Sequence, residues 1–315
     1  MASQLSSGDL LADRRYRYAE ACLAEGDYAG AADLAEQALE IAPRYAPAWL
    51  LLGRAREGLA APGGDPELRA AAARAYACAL DIDPDDTLGV RAHLVRLGVG
   101  DSLPTLSPAY VRTLFDGYAP RFERHLVDGL GYVGPQLVHA ALPATPRSFA
   151  VALDLGCGTG LMGAAIRDRV GHLAGVDLSP GMLALARAES WQGRPLYDRL
   201  AEGDLGAFLA GEPPDSADLC LAADVLIYVA DLGSFLTGIG RVLRSGGLGA
   251  VTVQSHDGGG TILGADGRYA HADAHIAASA AGAALEILTM RPADVRREQG
   301  RPVPGRVVVL RRTAA

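Results

Sequence analysis

The pattern of apolar and polar residues changes along the chain. The first third is rich in alanine and carries proline and glycine stops at helix-length intervals, which predicts a set of short helices. From Phe149 onward, apolar runs of strand length alternate with helix-like segments, as expected for a mainly parallel sheet. We therefore expect an all-α module at residues 1–98, a linker followed by helices at 99–148, and an α/β domain at 149–315.

The first third repeats itself. Ala-Leu-acid-Ile occurs shortly before Pro43 and again before Pro84, and these two prolines are 41 residues apart. The later unit begins with Trp49, Leu52 and Gly53. This order of bulky, small and proline positions resembles the tetratricopeptide repeat, whose usual period is about 34 residues. We expect two such repeats.

The longer period predicts an insertion. Residues 61–66 read APGGDP and would lengthen the turn between the two helices of the second repeat. A capping helix within residues 85–98 should close the module. Because two repeats are fewer than the three or so that form a self-sufficient solenoid, three roles stay open. The module could bind a protein partner, form a homodimer or only support the fold.

A proline-containing and serine-containing linker at residues 99–109 leads into the middle of the chain. Ser107 is the expected N-cap of the next helix and Pro108 its first residue. The stretch that follows is interrupted by Pro120 and places ring-bearing side chains at helical spacings, at Phe115, Tyr118, Phe122 and His125.

A glycine-rich turn follows the first apolar run of the α/β region. Residues 151–160 read VALDLGCGTG, so a strand at 149–155 meets a tight turn before a helix at 161–170. Glycines are needed there because the turn requires unusual dihedral angles and because a Cβ would keep a ligand away from the backbone. The turn therefore offers bare amides to a bound molecule.

Two kinds of ligand fit this turn. Gly158, Gly160 and Gly163 match the dinucleotide pattern GxGxxG, which on its own is a weak signal for a nicotinamide enzyme. Asp154, two residues before Gly156, favours a methyl donor instead, because it can orient the turn and meet an ammonium group.

Further acids follow the next apolar runs in order. Asp177 ends the second run, Asp204 the third, and Asp224 comes just after the fourth. Together with the glycine turn, these motifs make residues 110–315 similar to the class I S-adenosylmethionine-dependent methyltransferases, in particular to a bacterial group fused to tetratricopeptide repeats. The resemblance implies a Rossmann-like sheet with helices on both faces, and S-adenosyl-L-methionine as cofactor.

The resemblance also implies roles for individual residues. Asp177 would accept both ribose hydroxyls, Asp204 the adenine amino group, and Met182 would pack on the adenine ring, while Asp224 would lie beside the reacting methyl group. Tyr118 and Phe122 would cover the donor. The full set of expected cofactor contacts is Tyr118, Phe122, Asp154, Gly156, Cys157, Gly158, Gly160, Asp177, Leu178, Met182, Asp204, Leu205 and Asp224.

The chemistry of methyl transfer requires alignment more than any one side chain. The reaction is an in-line displacement, so a base is needed only where the acceptor must lose a proton. The candidates for that base and for acceptor binding are His271, Tyr269 and His125, with Arg268 nearby. His271 and His275 are one helical turn apart, but an exposed helix face explains them better than a metal, and we expect no metal.

Composition narrows the alternatives. The formal net charge of −8 and a pI near 5.4 predict no nucleic-acid partner. We expect no membrane span, since no apolar run approaches 18 residues, and no signal peptide, which predicts a cytoplasmic protein. The chain has no lysine, which excludes Schiff-base chemistry, and its four cysteines form no C-x-x-C pair, so a structural zinc site is not expected.

The sequence thus predicts a methyltransferase acting on an unidentified small-molecule or protein acceptor. Two alternatives remain beside it. One is a non-catalytic adaptor that binds the methyl donor in one domain and a protein through the repeats. The other is an NAD-dependent oxidoreductase.

Overall fold

The structure, a computed structural model, describes residues 6–60, 65–99, 106–145, 148–264, 266–298 and 300–314. The chain divides into two compact units, Met1–Tyr110 and Val111–Ala315. The boundary falls inside a helix, so the helices expected at 99–148 belong, from Val111 on, to the second unit.

The first unit consists of helices. They are α1 (Leu10–Glu25), α2 (Tyr28–Ile41), α3 (Ala46–Ala60), α4 (Pro66–Ile82) and α5 (Val90–Arg96). Asp9, Asp27 and Asp65 cap α1, α2 and α4, each accepting hydrogen bonds from backbone amides of the first turn. Two helix pairs and a closing helix confirm the predicted repeats. Residues 61–64 of the expected insertion lie outside the described residues.

Small residues let the helices of the second repeat pack closely. Tyr76 of α4 is fully buried against Gly53 of α3. A Cβ on Gly53 would lie 2.3 Å from the Tyr76 ring, well inside contact distance. The small position that the repeat pattern predicted is therefore required by an aromatic side chain on the neighbouring helix.

Helices precede the sheet in the second unit. Helix α6 (Pro108–Tyr118) starts in the first unit, and the Oγ atom of Ser107 accepts the amide of Tyr110 at 2.9 Å, as an N-cap does. A 3₁₀ turn (Ala119–Arg121) and a π-helical turn (Arg124–Gly129) follow, before α7 (Gly134–Ala141). The helix thus ends next to Pro120, as expected from the missing amide of proline.

The remaining strands are β1 (Phe149–Leu155), β2 (Val170–Asp177), β3 (Ser190–Trp191), β4 (Arg194–Pro195), β5 (Arg199–Glu202), β6 (Ala217–Ala222), β7 (Leu243–His256), β8 (Thr261–Leu263), β9 (Tyr269–Ala272), β10 (Leu285–Pro292), β11 (Arg297–Glu298), β12 (Arg301–Pro302) and β13 (Gly305–Arg312). The main sheet has the order β10-β13-β7-β6-β1-β2-β5. Strands β5, β2, β1, β6 and β7 are parallel, whereas β13 is antiparallel to both β7 and β10. The last two long strands therefore close the sheet as an antiparallel pair at its edge.

Helices cover both faces of this sheet. They are α8 (Leu161–Ile166), α9 (Pro180–Ala188), α10 (Leu205–Gly211), α11 (Leu232–Val242) and α12 (Asp273–Gly282). Alternate strand residues point to opposite faces, and accordingly Leu153 packs in the cluster that includes α11 and α12, while Ala152 packs in the cluster that includes α7, α8 and α9. The fold is the predicted Rossmann-like α/β sheet. Within the described residues, no helix has the length and hydropathy needed to cross a bilayer.

Candidate functional site

The glycine turn after β1 is held in a shape that only glycine adopts easily. Gly156, Gly158 and Gly160 have φ angles of 72°, 53° and 106°. The amides of Gly156 and Cys157 both donate to the carbonyl oxygen of Val176, at 2.8 and 2.9 Å. The turn is therefore tied to strand β2.

Asp177, the last residue of β2, ties the turn from the side. One carboxylate oxygen accepts the amide of Gly158 and the other the amide of Ser179, both at 2.9 Å. Burial raises the pKa of Asp177, while these two amides lower it. Since a carboxylate oxygen has two lone-pair positions, each oxygen keeps one for a hydroxyl donor. The assignment of Asp177 to a ribose stays a prediction that this geometry allows.

Asp154 lies underneath the turn. Its side chain is 1% exposed and its Oδ2 atom accepts the hydroxyl of Tyr197 at 2.6 Å. Burial raises the pKa of Asp154 to about 7; the hydrogen bonds from Tyr197 and the amide of Gly163 act in the opposite direction. Asp154 therefore supports the turn from the protein interior, and its contact with an ammonium group stays a prediction.

The other expected contacts fall into different environments. Cys157 is buried, and burial raises the pKa of its thiol well above the ordinary value, so it is not a thiolate. Met182 is 1% exposed. Asp204 is exposed and caps α10, where its Oδ1 atom accepts the amides of Gly206 and Ala207, and half-buried Leu205 packs against the core. For Leu178, Met182, Asp204 and Leu205, donor contact stays a prediction.

One buried polar atom in the turn has no hydrogen-bond partner among the described residues. Thr159 is 2% exposed, and its Oγ1 atom is the unpaired group. A buried hydroxyl without a partner costs free energy, so a ligand that supplies one would gain affinity. Bare glycine backbone, a strand-end acid and an unpaired hydroxyl together fit a polar nucleoside ligand such as the methyl donor.

Helix α6 and the turn after it lie over these strand ends. The Oδ1 atom of Asp116 accepts the Ser179 hydroxyl at 2.5 Å and the amide of Gly181 at 3.2 Å. Arg112 of α6 pairs with Glu202 at 2.8 Å. A Cβ on Gly158 would lie 4.0 Å from the ring of Phe122, so this ring covers the glycine turn.

Tyr118 and His125 form a pair beside this cover. The Oη atom of Tyr118 contacts Nδ1 of His125, and the two rings are edge to face at 5.5 Å. Tyr118 also packs on Phe122, at 5.2 Å between ring centroids. His125 is exposed, which keeps it available as a base, and that role stays a prediction.

A buried arginine organises the end of β6. Arg296 is 2% exposed, and its guanidinium donates to Asp224 at 2.5 Å, to Gln254 at 2.9 Å and to Glu298 at 3.3 Å. Burial raises the pKa of Asp224 and the Arg296 charge lowers it. Asp224 has a φ of 59°, a conformation that is strained for a residue with a Cβ. Arg296 therefore holds Asp224 in place.

Arg268 extends this network. It pairs with Glu298 and, through a hydrogen bond, with the hydroxyl of Tyr228, whose ring packs edge to face on Phe115 at 5.2 Å. The charges of both arginines are therefore matched by carboxylates of the protein itself.

Two of the predicted acceptor residues lie in the core. Tyr269 and His271 are on strand β9 and are 0% exposed. The ring nitrogens of His271 contact Thr261 Oγ1 at 3.0 Å and the carbonyl oxygen of Leu226 at 3.2 Å, and burial lowers its pKa. Their burial does not favour contact with an acceptor, and that contact stays a prediction.

The expectation that His271 and His275 lie on one helix face is wrong. His271 lies at a strand end and His275 on α12, so the two do not share a helix face, although their rings stack at 6.3 Å. Among the described residues no group of three or more His, Cys, Asp or Glu side chains could hold a metal.

The sheet order and its flanking helices are like those of the class I methyltransferases, whose cofactor is S-adenosylmethionine. Residues 153–251 match the methyltransferase domain family, and residues 12–55 match the tetratricopeptide repeat family. The chain therefore joins an S-adenosylmethionine-dependent methyltransferase domain to an N-terminal tetratricopeptide module.

Individual relatives share only part of this chain. Methyltransferase-like protein 27 of Homo sapiens is 37% identical over 117 residues, which are 36% of this chain and 45% of that protein. The malonyl-acyl-carrier-protein O-methyltransferase of Serratia marcescens is 34% identical over 97 residues, 30% of this chain and 35% of that protein. The chain thus spans less than half the length of these curated relatives.

A solved structure extends the likeness of fold. The cyclase SpnF superposes with a TM-score of 0.57 at 17% identity, covering 68% of this chain and 99% of SpnF. This likeness concerns the fold alone.

The sequence reading missed several residues of the site. Tyr197, Asp116, Thr159 and Arg296 all contact it or lie in it. Thr159 had a signal, since it lies inside the glycine motif. The other three lie in no motif, and only tertiary structure brings them to the strand ends.

Proposed function

We propose that the chain transfers a methyl group from S-adenosylmethionine to an acceptor that enters beside Tyr118 and His125. The observation that carries the proposal is the glycine turn pinned by Asp177, within a domain that matches the methyltransferase family. The family match favours this function over that of a dinucleotide oxidoreductase.

The donor would be held by residues at the ends of β1, β2 and β5. Asp177 would accept the ribose hydroxyls, and Asp204 the adenine amino group. Thr159 would pair with a polar group of the ligand, because its hydroxyl is buried without a partner. Phe122 would close the site from above, as its position over Gly158 indicates.

The chain's own contribution to the reaction is alignment and exclusion of water. When bound, S-adenosylmethionine supplies an electrophilic methyl group on a positively charged sulfur. The ring of Phe115 packs on both Phe122 and Tyr228, and an aromatic cover of this kind would keep the reacting centre dry. A dry, aligned site raises the effective concentration of the nucleophile.

His125 is proposed as the base for acceptors that must lose a proton. Its Nδ1 atom contacts Tyr118, so the ring is oriented and its Nε2 atom is not used by that contact. Nε2 would take the proton from a hydroxyl or ammonium group of the acceptor. Acceptors that are already ionised, such as a carboxylate, would not need His125.

The first experiment is calorimetric titration with S-adenosylmethionine, S-adenosylhomocysteine and NAD in parallel. Binding of the first two and no response to NAD is the expected result. Binding of NAD alone would overturn the proposed cofactor. Formation of S-adenosylhomocysteine is then followed with a panel of carboxylate, phenol and amine acceptors, since the Serratia relative is named for an O-methyl transfer.

A matched pair of variants tests the base. His125→Gln should slow transfer to a phenol by 100-fold or more, the usual contribution of a general base of about 10²–10⁴, while donor affinity is unchanged. His139→Gln, a partly buried histidine on α7, is the control and should leave the rate as it is. Equal rates in the two variants would remove His125 from the proposal.

The adaptor remains the second candidate. SpnF shares the fold and is named as a cyclase, which illustrates that this fold does not fix the reaction. An adaptor would bind the donor as tightly but form no S-adenosylhomocysteine with any acceptor or partner protein.

The role of the repeats is proposed to be binding of a protein segment. A shallow cavity of about 230 Å³ on α1 is lined by Asp13, Tyr16, Arg17 and Glu20, a charged and aromatic surface suited to a polar peptide. Sedimentation of the full chain distinguishes this role from dimerisation, because a stable dimer would show twice the monomer mass at every concentration tested.

A further inference from the structure

Tyr197 lies closer to the glycine turn than its sequence position suggests. It follows the β3–β4 hairpin and is 5% exposed. Three glycines make room for its ring: a Cβ would lie 2.4 Å from its hydroxyl at Gly163, 2.8 Å from its ring at Gly175 and 3.3 Å from its ring at Gly160. The ring is thus enclosed by the turn, helix α8 and strand β2.

The hydroxyl of Tyr197 forms a hydrogen bond with Asp154, the acid underneath the glycine turn. It donates to Oδ2 of Asp154 at 2.6 Å. The same carboxylate accepts the amide of Gly163, in the first turn of α8. A carboxylate held between a phenol and a helix amide is fixed in orientation, because both donors are themselves buried in packed elements.

The charged group that acts on this carboxylate is itself negative. Asp177 on β2 raises the pKa of Asp154, while the phenols of Tyr132 and Tyr197 and the thiol of Cys157, which also face it, are uncharged because burial raises their pKa values. The groups that face Asp154 from the packed elements are therefore Asp177, Cys157, Tyr132 and Tyr197.

A ligand that brings positive charge changes this balance. S-adenosylmethionine carries a sulfonium and an ammonium group, and S-adenosylhomocysteine carries the ammonium. Either charge favours the ionised form of a nearby buried carboxyl. Because burial places the pKa of Asp154 at about 7, the group is partly protonated near neutral pH in the free protein.

We propose that Tyr197 is a positioning residue of the donor site, whose hydroxyl holds the Asp154 carboxylate and so couples donor binding to release of a proton. This inference rests on the proposed function, since it needs a cationic donor above the glycine turn. Donor affinity then rises with pH, because the ionised form of Asp154 is the one that binds.

Removal of the Tyr197 hydroxyl should make Asp154 harder to ionise. The Tyr197 hydroxyl stabilises the ionised carboxylate, so its removal in Tyr197→Phe raises the pH at which Asp154 ionises. Hydrogen bonds to charged groups contribute enough to move this midpoint by about one pH unit or more. The ring remains, so the packing against the three glycines is kept.

The test is calorimetric titration of the full chain with S-adenosylhomocysteine from about pH 5.5 to 9, in buffers of different ionisation enthalpy. The wild-type chain should release a fraction of a proton on binding near pH 7. In Tyr197→Phe, the rise of affinity with pH should move upward by about one unit. Asp154→Asn should abolish the proton release.

Tyr76→Phe is the matched control. Tyr76 of the first unit is also a buried phenol that donates to a carboxylate, the Oε2 atom of Glu57 at 2.6 Å. It should bind with the wild-type pH profile. An affinity that is independent of pH in the wild-type chain, or an unchanged midpoint in Tyr197→Phe, would overturn the inference.

Two outcomes separate this inference from the proposed function. Absence of binding by the wild-type chain at every pH would defeat the proposed cofactor itself. Binding without proton release defeats only the role of Tyr197. Should Tyr197→Phe fail to fold, the wild-type proton release in two buffers still decides the matter.

Discussion

The two sides of the strand-end site are built in different ways. The proposed donor side, formed by the turns after β1, β2 and β5, is made mainly of backbone: Gly158 and Asp177, joined by a hydrogen bond, are 19 residues apart. The proposed acceptor side, formed by the ends of β6 and β7 and the segment after β10, is made of side chains: Asp224 and Arg296, which form an ion pair, are 72 residues apart.

This difference explains what each side tolerates. A site made of backbone depends on the absence of side chains, so an added Cβ should destabilise it most. A network of charged side chains depends on matched charges, so loss of one partner should destabilise it most. The variants below test these two expectations, in order of decreasing effect.

Loss of Arg296 should be the most damaging change. Arg296→Met leaves Asp224 buried without its counter-ion, and breaking a buried pair in this way costs about 3–5 kcal/mol of the free energy of unfolding. Asp224→Asn added to Arg296→Met should recover part of this loss. Urea unfolding can be followed by the fluorescence of Trp191 in a Trp49→Phe background, since the chain has two tryptophans. Additive losses in the double variant would mean that the two residues act independently.

An added methyl group should damage the donor side by steric clash. The Cβ of Gly163→Ala would lie 2.4 Å from the Tyr197 hydroxyl, and overpacking of this kind costs about 1–3 kcal/mol. Gly211→Ala at the end of α10 is the control, because no atom lies within 4 Å of its Cβ. The same Trp191 unfolding measurement compares the two. Equal stabilities would show that Tyr197 can move out of the way.

Asp177 should matter for binding more than for folding. Asp177→Ala removes both the clamp on the Gly158 amide and the acceptor for ribose hydroxyls, so affinity for S-adenosylhomocysteine should fall about tenfold or more. Asp168→Ala, an exposed acid on the 3₁₀ turn after α8, is the control. Unchanged affinity in Asp177→Ala would make the ribose assignment wrong and leave Asp177 as a structural clamp.

His271 should affect the pH dependence of stability. Burial lowers its pKa in the folded chain, so the unfolded chain, with a histidine pKa near 6.5, binds the proton more readily. The stability that His271 contributes is therefore present above about pH 6.5 and is lost as the pH falls through its folded pKa. The contribution of Asp154 to stability changes with pH in the opposite direction. Because its pKa in the folded chain is about 7, that contribution falls as the pH rises from about 4 to 7.

The check is the difference in unfolding free energy between about pH 7.5 and pH 5.5. His271→Gln should lower the stability at pH 7.5 relative to that at pH 5.5, whereas exposed His172→Gln should leave this difference unchanged. Loss of methyl transfer in His271→Gln with intact stability and donor binding would restore His271 to the acceptor side.

The same contrast explains what the sequence could predict. The strand at Phe149–Leu155, the glycine turn and the Ser107 cap all follow from neighbouring residues, and the structure has them where they were expected. The Rossmann-like sheet followed from the motifs in sequence together with the family resemblance. Such features are local, so their physical causes are readable along the chain.

The acceptor side lacked such local signals. Tyr269 and His271 were chosen for their chemistry, but burial on β9 depends on how β8 and β9 pair beside β7. Arg296 was overlooked because its partners Asp224 and Gln254 lie 72 and 42 residues away. The chain holds 29 arginines and no lysine, so arginine carries little information by itself.

Helix α6 contacts several turns of the site. Through Arg112, Phe115 and Asp116 it reaches the turns after β5, β6 and β2, and Phe122, just beyond its end, lies over the turn after β1. Contacts carried by one short helix are lost together when the helix lifts. We expect the nucleoside to enter and leave only when these contacts open together, which would make the lifetime of the closed state an upper limit on turnover.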